Sequence, residues 1–473
     1  MHTNDYVTPF YSSTTPGTDT EQGSLAMDLT MVIVKLYFET KGNIEKKLGD
    51  IANIAVGYWP FYIVPINANN AYILEGRGLY SERIRTRVLP TKLPALSSFL
   101  DEGTIDRFIS SMDKFVGKCE GFQAFEREEK KIDGLIPVSA FQNYFLYFFK
   151  NIKKPYLDTS FSEAPSMSDT AVKYMHDEIL KIFDDEPITF MKQQHAAFDG
   201  ACKKWIATLE ANIKGQVQDP VQSLKTKGEW LFPELAGPVD QAIDTLKGQT
   251  REIRASGKNQ NIKASITLAD QAINSSNEIA KALEDYRRNL KNLDDRITSE
   301  KNAIESERKY WQDSIEAIRK LQERMLQAMK GFEDQENVIR SKFLAERTIS
   351  FKSGKVATCG MPFFLLNFIK KGKQETRAMA PVILEEVSMF HKNPFKEPKG
   401  FSDFEKAGSD HFTKAQNAFE VQSNMKKQDI FTLPNLKIDV SNGIDRMKDL
   451  GYLDKKKHAE IRDDELHNIF TKG

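Results

Sequence analysis

Between Lys258 and Lys330 the chain contains neither glycine nor proline, a run of 73 residues. Glycine loosens a helix interior and proline breaks it, so their joint absence over this length favours one long helix. At about 1.5 Å per residue such a helix extends for about 110 Å. A seven-residue apolar repeat runs through it at Leu283, Leu290, Ile297, Ile304, Trp311, Ile318, Met325, Phe332 and Ile339. Residues seven apart share one helix face, so the series predicts a seam buried against another helix across 262–343. The companion stripe carries Arg287, Asp294, Lys301 and Arg308. Charges there suit an irregular partner helix better than a uniform parallel zipper.

A partner lies upstream. Ile188, Met191, His195, Phe198, Cys202, Trp205, Leu209 and Ile213 are spaced by threes and fours. So are Val172, Met175, Ile179 and Ile182 before them, and the style continues at Val239, Ile243, Leu246 and Ile253. Pro187, Pro220, Pro233 and Pro238 divide this side into pieces. Residues 255–259 supply a turn. Residues 165–350 are therefore expected to form an antiparallel, coiled-coil-like helical stalk, packed through Leu283, Leu290, Ile297, Ile304, Trp311 and Ile318. An intermolecular coiled coil would use the same seams and is the alternative.

The flanking segments read as a small α/β head assembled from distant parts of the chain, which makes the fold class α+β and predominantly helical. Residues 1–27, rich in Ser, Thr, Gly and Pro and lacking a signal-peptide pattern, are expected to be a flexible tail. The first head segment spans 28–118. Leu29–Phe38 is a continuous apolar run expected as a buried strand. Ile44, Leu48, Ile51 and Ala55 suggest a helix over 42–56. Tyr58–Ile66 is a strand that Pro60 and Pro65 would place at an edge or limit in its pairing. Tyr72–Leu74 and Ile84–Leu89 are further strands, and 95–116 reads as helical from Leu96 and Leu100 onward. The second head segment spans 351–390. There Met361-Pro362-Phe363-Phe364-Leu365-Leu366 echoes Trp59-Pro60-Phe61-Tyr62-Ile63-Val64, which suggests a weak internal repeat. Neither unit buries enough apolar surface alone, so the two are expected to pack in one domain.

Residues 119–164 form a linker and an aromatic helix. Phe141, Tyr144, Phe145, Tyr147, Phe148 and Phe149, followed by Lys150, Lys153 and Lys154, fit an interfacial membrane helix or, as the favoured alternative, a core helix. Residues 391–473 are polar and mostly helical, a small docking module or a mobile end. This plan resembles that of the chromosome-maintenance ATPases. Their activity needs a phosphate loop, and Ser353-Gly354-Lys355 lacks both the upstream glycine and the following Ser or Thr.

No chemistry declares itself. The seven histidines form no HExxH and no metal-type pairing with cysteine, so no metal or cofactor is expected. Cys119 and Cys359 have no identifiable base nearby in sequence, and no catalytic residue is assigned. Lys plus Arg and Asp plus Glu both number 67, so the chain has no net basic character to mark it as a nucleic-acid binder. A local patch is still available. Arg83, Arg85 and Arg87 alternate and would share a strand face, with Arg77 beside them and Lys370 and Lys371 in the matching loop of the second segment. That face would contact phosphate, or would be a charged surface that blocks edge pairing. The first expectation is a non-enzymatic, cytoplasmic scaffold or adaptor that meets a protein partner, or another copy of itself, through its helices. A nucleic-acid- or ribosome-associated factor using the basic face is the second. An enzyme with an unrecognised site is the third. Peripheral membrane contact ranks lower, and no apolar run is long enough for a transmembrane segment.

Overall fold

The computed structural model describes residues 6–13, 24–89, 103–122, 126–140, 145–154, 166–215, 220–385, 387, 393–396, 401–414, 425, 427 and 429–471. In chain order the elements are β1 (Tyr6–Val7), β2 (Tyr11–Ser13), α1 (Leu25–Thr40), α2 (Ile44–Leu48), β3 (Asp50–Pro65), β4 (Asn70–Glu75) and β5 (Ser81–Arg87). They continue with α3 (Ile105–Cys119), β6 (Arg127–Asp133), α4 (Leu146–Lys150), α5 (Asp169–Leu180), α6 (Glu186–Gly215), α7 (Pro220–Lys258) and α8 (Ile262–Arg347). The chain closes with β7 (Thr348–Ser350), β8 (Ala357–Lys370), β9 (Lys373–Met379), β10 (Val382–Leu384), β11 (Phe395–Lys396), α9 (Ser402–Thr413), α10 (Leu436–Asp449), α11 (Lys455–Ala459) and α12 (Leu466–Thr471). These elements fall into two compact units. A sheet unit draws on Met1–Leu89, Phe125–Pro187 and Glu333–Gly473, and a helical unit on Pro90–Ala124 and Ile188–Phe332.

The sheet unit is built on two long strands from opposite ends of the sequence. β3 and β8 pair antiparallel from Asp50↔Ile369 to Ile63↔Ala357, in a six-stranded sheet ordered β1-β8-β3-β4-β7 with β9 also on β8. The expected union of the two head segments is therefore a direct strand pairing. Of the two expected effects of its prolines, an edge position is not found, because β3 lies between β8 and β4, whereas limited pairing is seen at Pro60. Its prolines are accommodated locally. β4 pairs only from Phe61↔Glu75 onward, so Pro60 sits just beyond that ladder, where its carbonyl accepts from the Gly76 N–H at 2.8 Å. Pro362 of β8 stands between the stretch paired with β1, at Cys359 and Gly360, and the stretch paired with β9, from Phe364 onward.

Alternation along the strands feeds both faces of the sheet. Ile54, Val56, Tyr58, Phe364, Leu366 and Phe368 join α1 and α10 in one core. Ala55, Trp59, Phe61, Met361, Phe363 and Leu365 join Phe145, Phe148, Phe149, Phe401 and Phe404 in a second. Farther along β3, Tyr62 and Val64 pack with Tyr72, Leu74 and Ile84, with Val172, Met175 and Ile179 of α5, and with Phe343 of α8.

Several sequence expectations are corrected here. The run 29–38 is the helix α1 and not a strand. It is buried nearly all round, between sheet and C-terminal helices, and a uniformly apolar segment has no period to reveal its state. Its caps were the better signal. The Ser24 hydroxyl accepts from the Met27 N–H, and Lys41 adopts a left-handed conformation at the C-terminus. The helix expected over 42–56 stops after Leu48. Gly49 has φ +98°, and a Cβ there would lie 2.4 Å from the Ile369 carbonyl oxygen, so the chain turns straight into β3. Residues 6–13 of the expected tail form β1 and β2, paired with β8 and β10. The C-terminal region is part of the core, with Ile444, Met447, Leu453, Ile461 and Leu466 packed against α1. Phe145, Phe148 and Phe149 are core residues, whereas Leu96, Leu100, Phe141 and Tyr144 lie outside the described residues. Residues 105–119, assigned to the head, belong to the helical unit, and α5, assigned to the stalk, belongs to the sheet unit.

A reciprocal fit locks α9 onto the central strands. Gly57 of β3 is paired with Phe363 of β8, while α9 carries Gly408 and Phe412 one turn apart. A Cβ on Gly408 would lie 2.2 Å from Cζ of Phe363, and one on Gly57 would lie 2.7 Å from Cε1 of Phe412. Each phenyl ring thus fills the notch left by the other layer's glycine. Gly408→Ala is expected to lower unfolding free energy by about 1–2 kcal/mol, because so close an approach takes the upper part of the overpacking range, about 2–3 kcal/mol, against a helix-propensity gain of about 1. Gly354→Ala, where a methyl meets nothing within 4 Å, is expected to change little. Urea denaturation compares the two, and a Gly408 variant as stable as its parent would refute the fit.

Candidate functional site

The long helix is continuous from Ile262 to Arg347, as the run without glycine or proline predicts. In the helical unit its second half is covered. Ile315, Ile318, Leu321, Met325, Ala328 and Phe332 are buried. Polar contacts identify the neighbours. Arg324 of α8 forks onto Glu120, with both bonds at 2.8 Å, and reaches Asp113 at 2.6 Å, while Gln322 donates to Asp199 of α6 at 2.6 Å. Phe108 and Phe115 of α3 meet Trp205 and Phe198 of α6 at 5.3 and 6.1 Å between ring centroids. The first half of α8 differs. Ile318 is the buried member of the six assigned packing residues. Leu290, Ile297, Ile304 and Trp311 are half-buried, and Leu283 is 48 % exposed. Farther out, Ile262 continues the Leu283 series and Ile266 and Ile273 lie on the companion stripe, and they are 73, 57 and 59 % exposed.

The basic residues assigned to a phosphate-binding face do not converge. Along β3, Asp50 pairs with Ile369 beside Lys370, whereas Pro60 meets Gly76 beside Arg77. Ten strand residues separate these points, about 33 Å at the usual rise. Lys370 donates to the Lys47 carbonyl at 2.6 Å, and Lys371 and Gly372, both at positive φ, make the tight turn between β8 and β9. Arg83 and Arg85 lie on β5, and their alternation brings both to one carboxylate, Glu129 of β6, at 3.1 and 2.9 Å. The paired guanidiniums hold Glu129 below its ordinary pKa, the bond from Arg85 foremost. Arg87 is no surface group. Its Nε donates to Glu336 of α8, and both side chains are buried.

Arg77 marks a site that sequence patterns did not reveal. Beside it the Glu75 carboxylate is buried and accepts from the Trp59 indole N–H at 2.6 Å, the Arg77 N–H at 2.8 Å and the Leu79 N–H at 2.6 Å. The Arg77 guanidinium lies 5.7 Å from the centroid of the Trp59 ring. Burial raises the Glu75 pKa, and the donated hydrogen bonds only partly oppose it. The carboxylate organises the turn between β4 and β5, which explains why Gly76-Arg77-Gly78 is a bend. The signal available in sequence was one acidic residue ending an otherwise apolar strand.

The thiols are poorly placed for nucleophilic work. Cys119, Cys202 and Cys359 are free and buried, and burial pushes Cys119 and Cys202 up to about 12 and Cys359 higher still. Among the described residues no group of three His, Cys, Asp or Glu side chains could hold a metal ion. No described helix is long and apolar enough to cross a membrane. Comparison with known protein families, curated proteins and solved structures finds no match for this chain.

Two outcomes follow from the charge geometry. Arg87→Ala strands a buried carboxylate at Glu336 and is expected to cost about 3–5 kcal/mol, whereas Arg83→Ala, at an exposed pair, should stay within about 1 kcal/mol of the parent. Similar losses in urea denaturation would refute the distinction. The second concerns pH. Glu75 has its folded pKa raised, so the stability tied to its protonated form is full below the ordinary carboxylate range and is lost as pH rises through the folded value. Glu75→Gln lacks that loss. Its stability relative to the parent should therefore climb with pH across this window, as denaturation on both sides would record.

Proposed function

We propose that this chain is a non-enzymatic scaffold or adaptor that associates through the outer half of α8, with a second copy of the chain as the partner. The supporting observation is the change in burial along a single seam. The Leu283 series is buried at Ile318, Met325 and Phe332 and exposed at Leu283 and Ile262, and Ile266 and Ile273 are exposed on the adjoining companion stripe. Apolar residues repeated on a helix face at heptad spacing are the usual means by which helices pair. Single exposed apolar residues are ordinary, but four on two adjoining stripes of one helix are a surface.

The arginines favour this reading over a nucleic-acid factor. Arg83 and Arg85 share a carboxylate and Arg87 is buried with another, so β5 offers little uncompensated charge to a phosphate backbone. Sedimentation equilibrium tests the proposal. The parent is expected to show concentration-dependent association. Ile266→Asp combined with Ile273→Asp should remove it without lowering the denaturation midpoint, since both side chains are exposed. Monomeric behaviour of the parent across the whole concentration range would overturn self-association through α8.

A further inference from the structure

Helices α7 and α8 meet in a tight turn, and their pairing uses one face of α8. Gln260 takes a left-handed conformation in that turn, at φ +54°. The Ser256 and Ser265 hydroxyls hydrogen-bond between the two helices, and Ser275, farther along α8, is buried. Ile262, Ile266 and Ile273 fall on a different face and are exposed. Beside them lies an open hollow of about 260 Å3, lined by Gly257, Ile262, Ser265, Ile266 and Ala269. The last four stand at i, i+3, i+4 and i+7, the corners of a hole that receives a knob from a facing helix. We propose that the tip of the α7–α8 hairpin is a self-complementary seat, occupied by the same tip of a second copy with the two α8 helices antiparallel. This inference rests on the association proposed above and adds its alignment.

Three observations set the alignment. The first is apolar fit. Antiparallel pairing with Ile266 opposite Ala269 also places Ile262 opposite Ile273, and twofold symmetry repeats both contacts. Large then faces small at the centre, and Ile273 of the second copy enters the hollow beside Ile262. The second is charge. Lys263 and Asp270 are exposed on one flank of this stripe, and neither makes an ion pair with a described residue. Seven residues apart on one helix, they are separated by about 10 Å along its axis and do not meet within the chain. Antiparallel pairing sets the same flanks of the two helices together, with Lys263 of each copy near Asp270 of the other. An exposed pair contributes little energy, yet it selects direction and register. The third is what a parallel pair would stack. It would leave Lys263 and Asp270 unmatched and would carry the stripe on into Arg287, Asp294 and Lys301, each against its own copy. Like charges placed together on helices oppose pairing. In the antiparallel overlap these positions lie past the first residue of the facing α8.

Cysteine cross-linking in the full-length chain tests the alignment. Ile262→Cys and Ile273→Cys are made as separate proteins, and the native thiols Cys119, Cys202 and Cys359 are buried. Antiparallel pairing brings position 262 against position 273, whereas like positions stay about 17 Å apart along the axis, beyond the reach of a disulfide. An equimolar mixture under oxidation is therefore expected to yield about tenfold more covalent dimer than either variant alone. Sedimentation equilibrium supplies the charge test. Lys263→Asp and Asp270→Lys should each weaken dimerisation about threefold, and the chain carrying both should recover the parent's affinity to within about twofold. Efficient cross-linking of either cysteine variant by itself, or a double reversal no better than the single ones, would overturn the antiparallel alignment and leave association through α8 standing. A parent that is monomeric throughout would overturn both, and its flotation with phosphatidylcholine vesicles would assign the tip to a lipid surface instead.

Discussion

The pairing of β3 with β8 is the constraint on which the sheet unit depends. It joins residues 50–63 to residues 357–369 and brings together segments separated by nearly the whole helical part of the chain. The entropic cost of such closure grows only slowly, about 0.6 kcal/mol per doubling of loop length, and structure within the loop shortens it further. What the ladder must secure is register. A slip of one residue would exchange the two faces of both strands and move Phe363 away from Gly57. The Gly57–Phe412 and Phe363–Gly408 fits reject that slip sterically, because only the observed pairing sets each ring opposite a position without a Cβ. On the opposite face, Gly443 of α10 permits a similarly close approach between helices, since a Cβ there would lie 2.2 Å from Thr30 Oγ1 of α1.

Charge in this unit is arranged to tie elements together. Arg87 to Glu336, Arg347 to Glu82 and Arg340 to Asp185 all fasten the last turns of α8 to neighbouring segments of the sheet unit. The buried Arg87–Glu336 pair stabilises less than its Coulomb energy suggests, because both groups lose water on folding, yet removal of either partner would be costly. Such a pair specifies where the helix end must lie. This accounts for a chain that is charge-balanced overall while its arginines cluster on one strand. The carboxylates that answer them come from β6 and α8, far away in sequence.

The long helix was legible because its signal is local and repeated, with no glycine, no proline and a heptad that persists. The joining of the two strand segments was also legible, from apolar runs too small to stand alone. The identity of α1 was not, since a segment buried on all sides shows neither a period of two nor of 3.6. Ser24 before it and Lys41-Gly42 after it were the informative residues. The interior position of β3 was hidden by Pro60 and Pro65, whose usual meaning fails where the neighbouring ladder ends beside them. The scattering of the basic residues was invisible for a different reason. Matching Arg77 with Lys370 by sequence analogy ignored that antiparallel pairing of two similar strands sends their corresponding loops to opposite ends. Glu75 was missed because a lone carboxylate becomes a feature only when three dimensions supply its donors.

The bare half of the α8 seam has an energetic meaning. Full burial of an Ile or Leu side chain contributes about 1.5–3 kcal/mol. Ile262, Ile266, Ile273 and Leu283 already bury part of their surface, so pairing two such stretches would gain at most about 10–20 kcal/mol in all. Association costs about 4–15 kcal/mol before any side chain is ordered. The two quantities are of the same size, so contact through this stretch alone would be reversible and concentration-dependent. A covered seam from Ile315 to Phe332 holds the helical unit together, while the apolar residues from Ile262 to Leu283 are exposed and, under the proposed association, would lie near its threshold. Polar residues along the outer half would have removed the threshold, and further intrachain cover would have consumed it.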